Sequence, residues 1–157
     1  MMEASLRTVM SCFPTGVTVV ATCDPDGLPL GLTVNSFTSV SLEPPLVLVC
    51  IRQEANTHDP LLEADGFAVN ILSAHQAEIA ERFARRPSEG RFEGVAWSPS
   101  PSGSPVLSGV AAWLDCSIHE VVLAGDHSVV IGRAVAGGSS AEPPLLFHLG
   151  TLRSLGG

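Results

Sequence analysis

The hydrophobic residues of this chain fall in short, β-branched runs separated by turn-forming residues. Such runs, bounded by Gly, Pro, Asp or Asn, are typical of β-strands. Asp24-Pro25-Asp26-Gly27 is expected to close the first two runs into a hairpin, and residues 124–127 to close a second hairpin. The pattern predicts strands at residues 16–23, 28–35, 46–51, 67–72, 111–123, 128–136 and 145–149.

Three other segments have the spacing of short amphipathic helices. Residues 3–13 place apolar side chains at helical intervals. Asp59 followed by Pro60 predicts a helix in which Asp59 is the N-cap and Pro60 the first helical residue. Ser73 and Gln76 have the spacing of a capping box, which predicts a helix that continues to residue 85.

Residues 87–109 are rich in Ser, Pro and Gly, and we predict a long surface excursion there. The chain then totals about six or seven strands and two or three short helices, without the regular strand–helix alternation of a parallel sheet. The expected fold is mainly β, an antiparallel barrel with helical additions. We expect residues 1–157 to form a single domain.

Composition favours a soluble protein with a subunit interface. Hydrophobic residues make up 45% of the chain and charged residues only 15%, and a buried interface between subunits would absorb this apolar surplus. No apolar run approaches the roughly 20 residues that span a bilayer. The first residues carry Glu3 and lack the apolar segment of a secretory signal, so we expect a cytoplasmic location. A net charge of −8 disfavours binding to nucleic acids or anionic membranes.

Several common chemistries are absent from the sequence. The chain has no Lys and no Tyr, which excludes Schiff-base chemistry and tyrosine acid–base roles. It contains none of the G-x-G-x-x-G, G-x-S-x-G, H-E-x-x-H or P-loop motifs. Its histidines lack H-x-H or H-x-x-x-H spacing, so no metal site is predicted. The four cysteines lack zinc-like or C-x-x-C spacing and are expected to be buried thiols.

Two segments remain as candidates for binding a ligand. Residues 31–45 lead from a strand into a cluster of hydroxyl and amide side chains able to bond a ring carbonyl or a phosphate. The alternative is an ordinary polar strand end and loop. The members of this cluster are Thr33, Asn35, Ser36, Ser39 and Ser41.

The second candidate is the turn Gly125-Asp126-His127. It would aim the imidazole of His127 into a barrel mouth, or else it is a solvated turn.

In the order and spacing of its motifs, the chain resembles the flavin reductase family of the FMN-binding split barrel, the reductase components of two-component flavin monooxygenases. The resemblance extends from about residue 13 to residue 152 and implies a homodimer of six-stranded split β-barrels, with flavin in a groove near the subunit interface. The motifs are F-P-T-G-V-T-V-V at residues 13–20, T-V-N-S-F-T-S-V-S-L-E-P-P-L-V at 33–47, F-A-V-N-I-L at 67–72, R-F at 82–83, G-D-H at 125–127 and P-L-L-F at 144–147.

The resemblance also assigns roles to residues of this chain. His127 would lie beside the nicotinamide as the catalytic residue, and Phe147 would approach the flavin ring, with Thr15 a weaker candidate for the same pocket. Family members often have a Tyr-x-x-Gly-x-Tyr-like tail where this chain has Phe147-His-Leu-Gly-Thr151, which leaves the stacking role of that tail open. The flavin-contacting residues would be Thr33, Val34, Asn35, Ser36 and Ser39, the backbone around Cys50 and Ile51, and Asn56 and Thr57 near the phosphate or ribityl chain.

The implied activity is NAD(P)H:flavin reduction that supplies reduced flavin to a partner monooxygenase. The alternatives are a flavin-binding electron carrier and a ligand-binding barrel without flavin. The sequence leaves FMN and FAD open, as it does NADH and NADPH, with NADH favoured. An NADPH 2′-phosphate would need a cation such as Arg85, Arg86 or Arg91, which otherwise form a solvated helix end.

Overall fold

A computed structural model describes residues 2–85 and 87–156 of the chain. Arg86, one of the candidate phosphate cations, lies outside the described residues. The described residues form three helices, α1 (Leu6–Ser11), α2 (His58–Glu63) and α3 (Ala77–Ala84). Their twelve strands are β1 (Thr15–Gly16), β2 (Thr18–Cys23), β3 (Pro29–Val34), β4 (Phe37–Leu42), β5 (Pro45–Arg52), β6 (Gly66–Ile71), β7 (Trp97–Pro99), β8 (Pro105–Leu107), β9 (Ala112–Ala124), β10 (His127–Ser139), β11 (Leu145–His148) and β12 (Thr151–Ser154).

Seven strands form the main sheet in the order β3-β2-β6-β9-β10-β5-β4, and every pairing in it is antiparallel. A three-stranded sheet, β1-β11-β12, and a hairpin, β7-β8, complete the strands. The predicted first hairpin is confirmed. Asp24 closes it, because its Oδ1 accepts from the backbone N–H groups of Asp26 and Leu28 at 2.9 Å each.

The core lies on both faces of β2. Val20 belongs to the cluster inside the main sheet, whereas Val19 and Ala21 belong to a second cluster beneath α3 and the β7-β8 hairpin. Successive residues of a strand point to opposite faces, so burial of consecutive residues means that both faces are covered. The helix α3 covers the face to which Val19 and Ala21 point, and it lies against β3, the edge strand of the main sheet.

Four strands were not predicted: β7 and β8, which lie within segment 87–109, and the edge strands β4 and β12. β4 lies in the hydroxyl-rich segment, and its polar side chains are mostly exposed at one edge of the main sheet. β12 is short and polar for the same reason, because it too is an edge strand. Edge strands need no apolar face on their open side, so an apolar pattern does not reveal them.

The prediction that Asp59 caps a helix is wrong. α2 begins at His58 with Thr57 as its N-cap, and Asp59 lies in its first turn. Pro60 is therefore the third helical residue rather than the first. Proline is tolerated there because the backbone N–H groups of the first turn have no partner within the helix.

The capping box at Ser73 is only half formed. The Gln76 side chain accepts from Ser73 N–H at 2.9 Å, but the Ser73 hydroxyl donates to Gly109 O at 2.8 Å. With that hydroxyl engaged elsewhere, α3 begins at Ala77 with Gln76 as its N-cap. The bond to Gly109 instead fastens the end of the segment 87–109.

Segment 87–109 is not merely a surface excursion. It contains the β7-β8 hairpin, and Phe92 packs edge-on against Phe83 of α3 with ring centroids 4.9 Å apart. Trp97 extends the contact, its ring 6.3 Å from that of Phe92. These aromatic contacts hold the outer side of α3 and so fix the helix that borders the candidate site.

Candidate functional site

A groove runs between α3 and the β3 edge of the main sheet. It consists of two adjoining cavities, a larger one of about 600 Å³ and a smaller one of about 240 Å³. Both cavities are lined by Thr33 and Ala84, so they meet at those residues. Combined, their size suits a cofactor with a ring system and an extended side chain.

The larger cavity has mainly apolar walls with a few polar groups. Small side chains of α3 form one wall, because Ala77, Ala80 and Ala84 recur at helical spacing on the face toward β3. A flat ring therefore meets little steric obstruction from the helix. The lining residues are Val17, Thr33, Asn35, Ala77, Ala80, Glu81, Ala84, Phe147, Gly150, Thr151 and Leu152.

The opposite wall comes from the three-stranded sheet. Phe147 of β11 lies directly opposite Thr15 of β1 in the strand register, and the Asn35 amide donates to Thr15 Oγ1 at 3.4 Å. Thr15, Asn35 and Phe147, three of the residues named from the family resemblance, thus lie close together. The amide of Asn35 is exposed toward the cavity and retains hydrogen-bonding capacity.

The smaller cavity is polar and carries charge of both signs. Asn56 Nδ2 lies 3.5 Å from Ser88 Oγ across it, and Thr57 is buried at its base. Glu54 contributes a negative charge beside the cation of Arg52. The lining residues are Leu32, Thr33, Arg52, Glu54, Ala55, Asn56, Thr57, Phe83, Ala84, Ser88 and Arg91.

Arg91 has its guanidinium engaged by the protein itself. Its Nη1 donates to Gly31 O at 2.9 Å, and its Nε and Nη2 both donate to Arg85 O. Partial burial lowers the pKa of Arg91, and the nearby charge of Glu89 opposes that shift. Arg91 therefore ties the segment after α3 to β3, and Arg52 is the more available cation of the smaller cavity.

His127 lies at the end of the main sheet next to the smaller cavity. It is the first residue of β10 and stands opposite Arg52, the last residue of β5. Its Nδ1 is 2.6 Å from Asp126 Oδ1. This bond, and then the charge of His127, hold the pKa of Asp126 below its usual value. The ionised carboxylate accepts the Nδ1 proton, which leaves Nε2 directed away from Asp126.

The remaining predicted contacts are distributed more widely. Ser36 Oγ donates to Cys50 O at 2.9 Å, which links the β3-β4 connection to β5. The side chains of Val34 and Ile51 are buried in the main core, and neither residue is among those that line the two cavities. Ser39 is exposed on edge strand β4 and is not among the residues that line the groove.

Sequence reasoning missed several residues that line the groove. Ala77, Ala80 and Ala84 of α3 were missed because small residues on a helix carry no chemical signal of their own. Arg52 and Glu54 follow an apolar strand and were indistinguishable from ordinary surface charges. The turn at Gly150 and Thr151 reaches the larger cavity only because β11 and β12 form a hairpin.

Across residues 2–85 and 87–156, no group of three or more His, Cys, Asp or Glu side chains is placed to hold a metal ion. Over the same residues, no helix has the length and apolar composition needed to cross a bilayer.

The family is established by comparison with known proteins. The flavin reductase like domain family model matches residues 10–156, and the chain therefore belongs to that family. It is 48% identical over 136 residues to the stachydrine N-demethylase reductase subunit Stc3 of Rhizobium meliloti, an alignment that covers 87% of this chain. The chain spans only 59% of the length of that relative.

Two further comparisons cover more of both proteins. The reductase subunit HsaB of a flavin-dependent monooxygenase from Rhodococcus jostii is 41% identical over 145 residues, which are 92% of this chain and 73% of HsaB. The NADH:FAD oxidoreductase SgcE6 of Streptomyces globisporus, solved in complex with NAD and FAD fragments, superposes with a TM-score of 0.89 at 41% identity, covering 94% of this chain and 89% of SgcE6. The predicted fold class, a mainly antiparallel split β-barrel, is thereby confirmed.

Proposed function

We propose that this chain is an NAD(P)H:flavin oxidoreductase that reduces FMN or FAD and supplies the reduced flavin to a partner monooxygenase. The observation that carries the proposal is the two-part groove beside α3, with an apolar cavity at one end and a polar, charged cavity at the other. A flavin has the same division between its ring and its phosphate-bearing side chain.

The residues present fit a flavin in this groove. The ring would lie in the larger cavity against the alanine face of α3, with Phe147 on the opposite wall. Thr33 lines both cavities, so it would lie beside the ribityl chain that connects the ring to the phosphate. Asn56 and Thr57 would hold the phosphate end with Arg52, whose charge complements phosphate.

In the proposed reaction the protein aligns the reactants and does not form bonds itself. Bound together, the two cofactors supply the chemistry, a hydride passing from nicotinamide C4 to flavin N5. Asn35 would donate to the polar edge of the flavin ring and fix its orientation. His127, held by Asp126, would position the nicotinamide at the sheet end beside Arg52.

NADH is the proposed hydride donor. A 2′-phosphate on NADPH needs an available cation, and Arg91 already donates to two backbone carbonyls. Arg52 is the available guanidinium of the smaller cavity, where the flavin phosphate would lie. The name of SgcE6, an NADH:FAD oxidoreductase, points the same way.

We also propose that the chain acts as a homodimer. The side chains of Leu46 and Leu48 alternate with core residues of β5 and so point away from the core, as do Val129 and Ile131 on β10. Leu48 and Ile131 lie directly opposite each other in the register. Exposed Val122 of β9 lies opposite Val129 in the register and extends this apolar surface, as expected of an interface.

Light scattering tests the dimer. Ile131→Glu, which places a charge in the middle of this surface, should give monomers where the unaltered chain gives dimers. Leu28→Glu, at an exposed leucine of the first hairpin, is the matched control and should remain dimeric. A monomeric unaltered chain at micromolar concentration contradicts this part of the proposal.

The partner oxygenase and the cytoplasmic location belong to the same proposal. Stc3 and HsaB are both named as reductase subunits, and a reductase that releases its product needs a flavin-consuming partner. The four cysteines are free thiols, as is usual for proteins of a reducing compartment.

The direct test is loss of absorbance at 340 nm with purified protein, NADH or NADPH, and FMN, FAD or riboflavin. The proposal expects flavin-dependent oxidation of NADH above the uncatalysed rate. Retained flavin without NAD(P)H oxidation would establish the electron carrier instead. Folded protein that neither binds flavin at tens of micromolar nor oxidises NAD(P)H would establish a ligand-binding barrel.

A further inference from the structure

Gln53 holds the backbone of the turn that carries His127. Its side-chain Nε2 donates to His127 O at 2.8 Å and to Gly125 O at 3.3 Å. Its backbone N–H donates to Asp126 O at 2.9 Å. Three consecutive carbonyl oxygens of the Gly-Asp-His turn thus accept hydrogen bonds from one residue.

A second contact near the same turn joins His58, the first residue of α2, to Ser128 of β10. Its Nε2 lies 2.7 Å from Ser128 Oγ, and its Nδ1 lies 2.7 Å from Asp59 Oδ1. An Asp-His-Ser chain of this kind is reminiscent of a hydrolase relay, but Ser128 is fully buried and no substrate reaches it. The His58–Ser128 bond is therefore an anchor between α2 and the start of β10.

Between these two anchors the segment faces the groove. Arg52, Glu54 and the residues 55–57 line the smaller cavity, while Gln53 and His58 contact the hairpin. A displacement of the turn at residues 125–127 is thereby resisted by Gln53 and His58, which are adjacent in sequence to the residues that border the proposed flavin phosphate. The side chain of His127 is 42% exposed and that of Asp126 is 78% exposed, so packing of these side chains contributes little to their placement.

We propose that Gln53 is a positioning residue that acts through His127 on the nicotinamide, and that it links the flavin-lining segment 52–57 to the nicotinamide site. This inference rests on the proposed function. It assigns to Gln53 no contact with either cofactor: its amide nitrogen donates to the backbone of the turn. Loss of the Gln53 amide should make the position of the His127 imidazole less well defined, although the imidazole itself remains.

A double-mutant cycle between Gln53 and His127 tests the inference. Gln53→Met keeps the length of the side chain and removes both donors, and it is combined with His127→Ala. Gln53→Met should raise the KM for NADH about three- to ten-fold, the range expected for lost hydrogen bonds, with kcat within about two-fold and the flavin Kd unchanged. In the His127→Ala background it should have no further effect on KM, because two residues that act as one unit are non-additive.

His119→Ala is the matched control for the second arm of the cycle, since His119 is an exposed histidine on β9 outside the groove. Gln53→Met should retain its full effect in that background. An effect of Gln53→Met that persists unchanged in the His127→Ala background overturns the inference. A parallel loss in KM, kcat and flavin affinity also overturns it, because that pattern indicates a purely structural role.

A second measurement separates this inference from the proposed function. In NMR spectra without cofactors, Gln53→Met should shift or broaden the ring resonances of His127 and leave those of His119 unchanged. Unaltered His127 resonances would overturn the inference even in an active enzyme. If the unaltered chain oxidises no NAD(P)H, the proposed function fails, while the NMR result still tests the contact. Should Gln53→Met not fold, Gln53→Asn replaces it, because its amide is one methylene too short to reach both carbonyls.

Discussion

Thr33 Oγ1 donates to the carbonyl oxygen of Ala80 at 2.6 Å, which fixes α3 to β3 at the point where the two cavities meet. The bond sets the separation of the helix from the sheet and hence the width of the groove. Thr33 thus has a structural role within the site that is separate from any contact its remaining lone pair makes with a ligand. The strand pattern did not predict that this hydroxyl would bond to a backbone carbonyl of α3.

Replacing Thr33 should therefore affect flavin binding through the helix. Thr33→Val keeps the shape of the side chain and removes the donor, and a net loss of about 0.5–1.5 kcal/mol for the hydrogen bond corresponds to a flavin Kd raised about three- to ten-fold. Fluorescence quenching of the flavin measures it. Thr33→Ser retains the hydroxyl and should remain near the unaltered value; weakening in Thr33→Ser but not in Thr33→Val would show that the methyl group, not the bond, matters.

His127→Ala should impair use of the nicotinamide more than turnover. Because His127 positions the nicotinamide and no proton transfer by it is needed for hydride movement, we expect the KM for NADH to rise about five- to ten-fold and kcat to fall less than about two-fold. Steady-state assays at saturating flavin provide both constants. The reverse pattern, a large fall in kcat with unchanged KM, would assign His127 a part in the chemical step.

Asp126→Asn should also raise the KM for NADH, and the pH range over which it does so follows from the pKa of Asp126. The bond to His127, and then its charge, lower the pKa of Asp126 below the ordinary carboxyl value. A lowered pKa means that the carboxylate interaction is present above the ordinary value, about 4, and is lost only as the pH falls through the lower, folded-state pKa. The variant should therefore raise the KM for NADH at every pH from 5 to 8. A KM difference that vanishes within that range would contradict the assignment.

Glu54 should weaken the binding of flavins that carry phosphate. It lines the smaller cavity and is exposed, so Glu54→Gln removes a repulsion comparable to a surface ion pair, about 0.2–1 kcal/mol. The Kd for FMN should fall roughly two- to five-fold, and the effect should diminish as salt is added. Riboflavin, which lacks the phosphate, is the matched ligand and should show no change; an equal gain for riboflavin would locate the phosphate elsewhere.

The sequence predicted the strands that are buried on at least one face, because their apolar residues leave a pattern. β2, β5, β6, β9 and β10 lie within about two residues of their predicted bounds or extend a little beyond them. β4 was missed because its polar residues Thr38, Ser39 and Ser41 interrupt the apolar pattern and are mostly exposed. Its pairing with β5 depends on the backbone, and backbone pairing carries no compositional signal.

Residues of the candidate site could be predicted where they belong to a recognisable sequence motif. They could not be predicted where their role depends on a partner that is distant in the sequence. Asn35, Phe147 and His127 were named from resemblance to a family, and the first two do line the larger cavity. Gln53 was not named, because its partners at residues 125–127 lie 72 or more positions further along the chain. Only the antiparallel pairing of β5 with β10 brings them together.

The expectation that all four cysteines are buried thiols is correct only for Cys116. Cys12 is exposed, and Cys23 and Cys50 are half-buried. Burial, with a smaller contribution from the charge of Asp115, raises the pKa of Cys116 to about 12. Burial also raises the pKa of Cys50, against the opposing hydrogen bond with Ser36. Because the thiolate is the reactive form, these environments predict a definite order of alkylation.

In the folded protein at pH 8, iodoacetamide should modify Cys12 first, Cys50 and Cys23 more slowly, and Cys116 only after unfolding. At that pH, a thiol with a pKa of about 12 is ionised in about one molecule in ten thousand. Peptide mass spectrometry gives each rate. Modification of Cys116 in the folded protein at the rate of Cys12 would contradict this order.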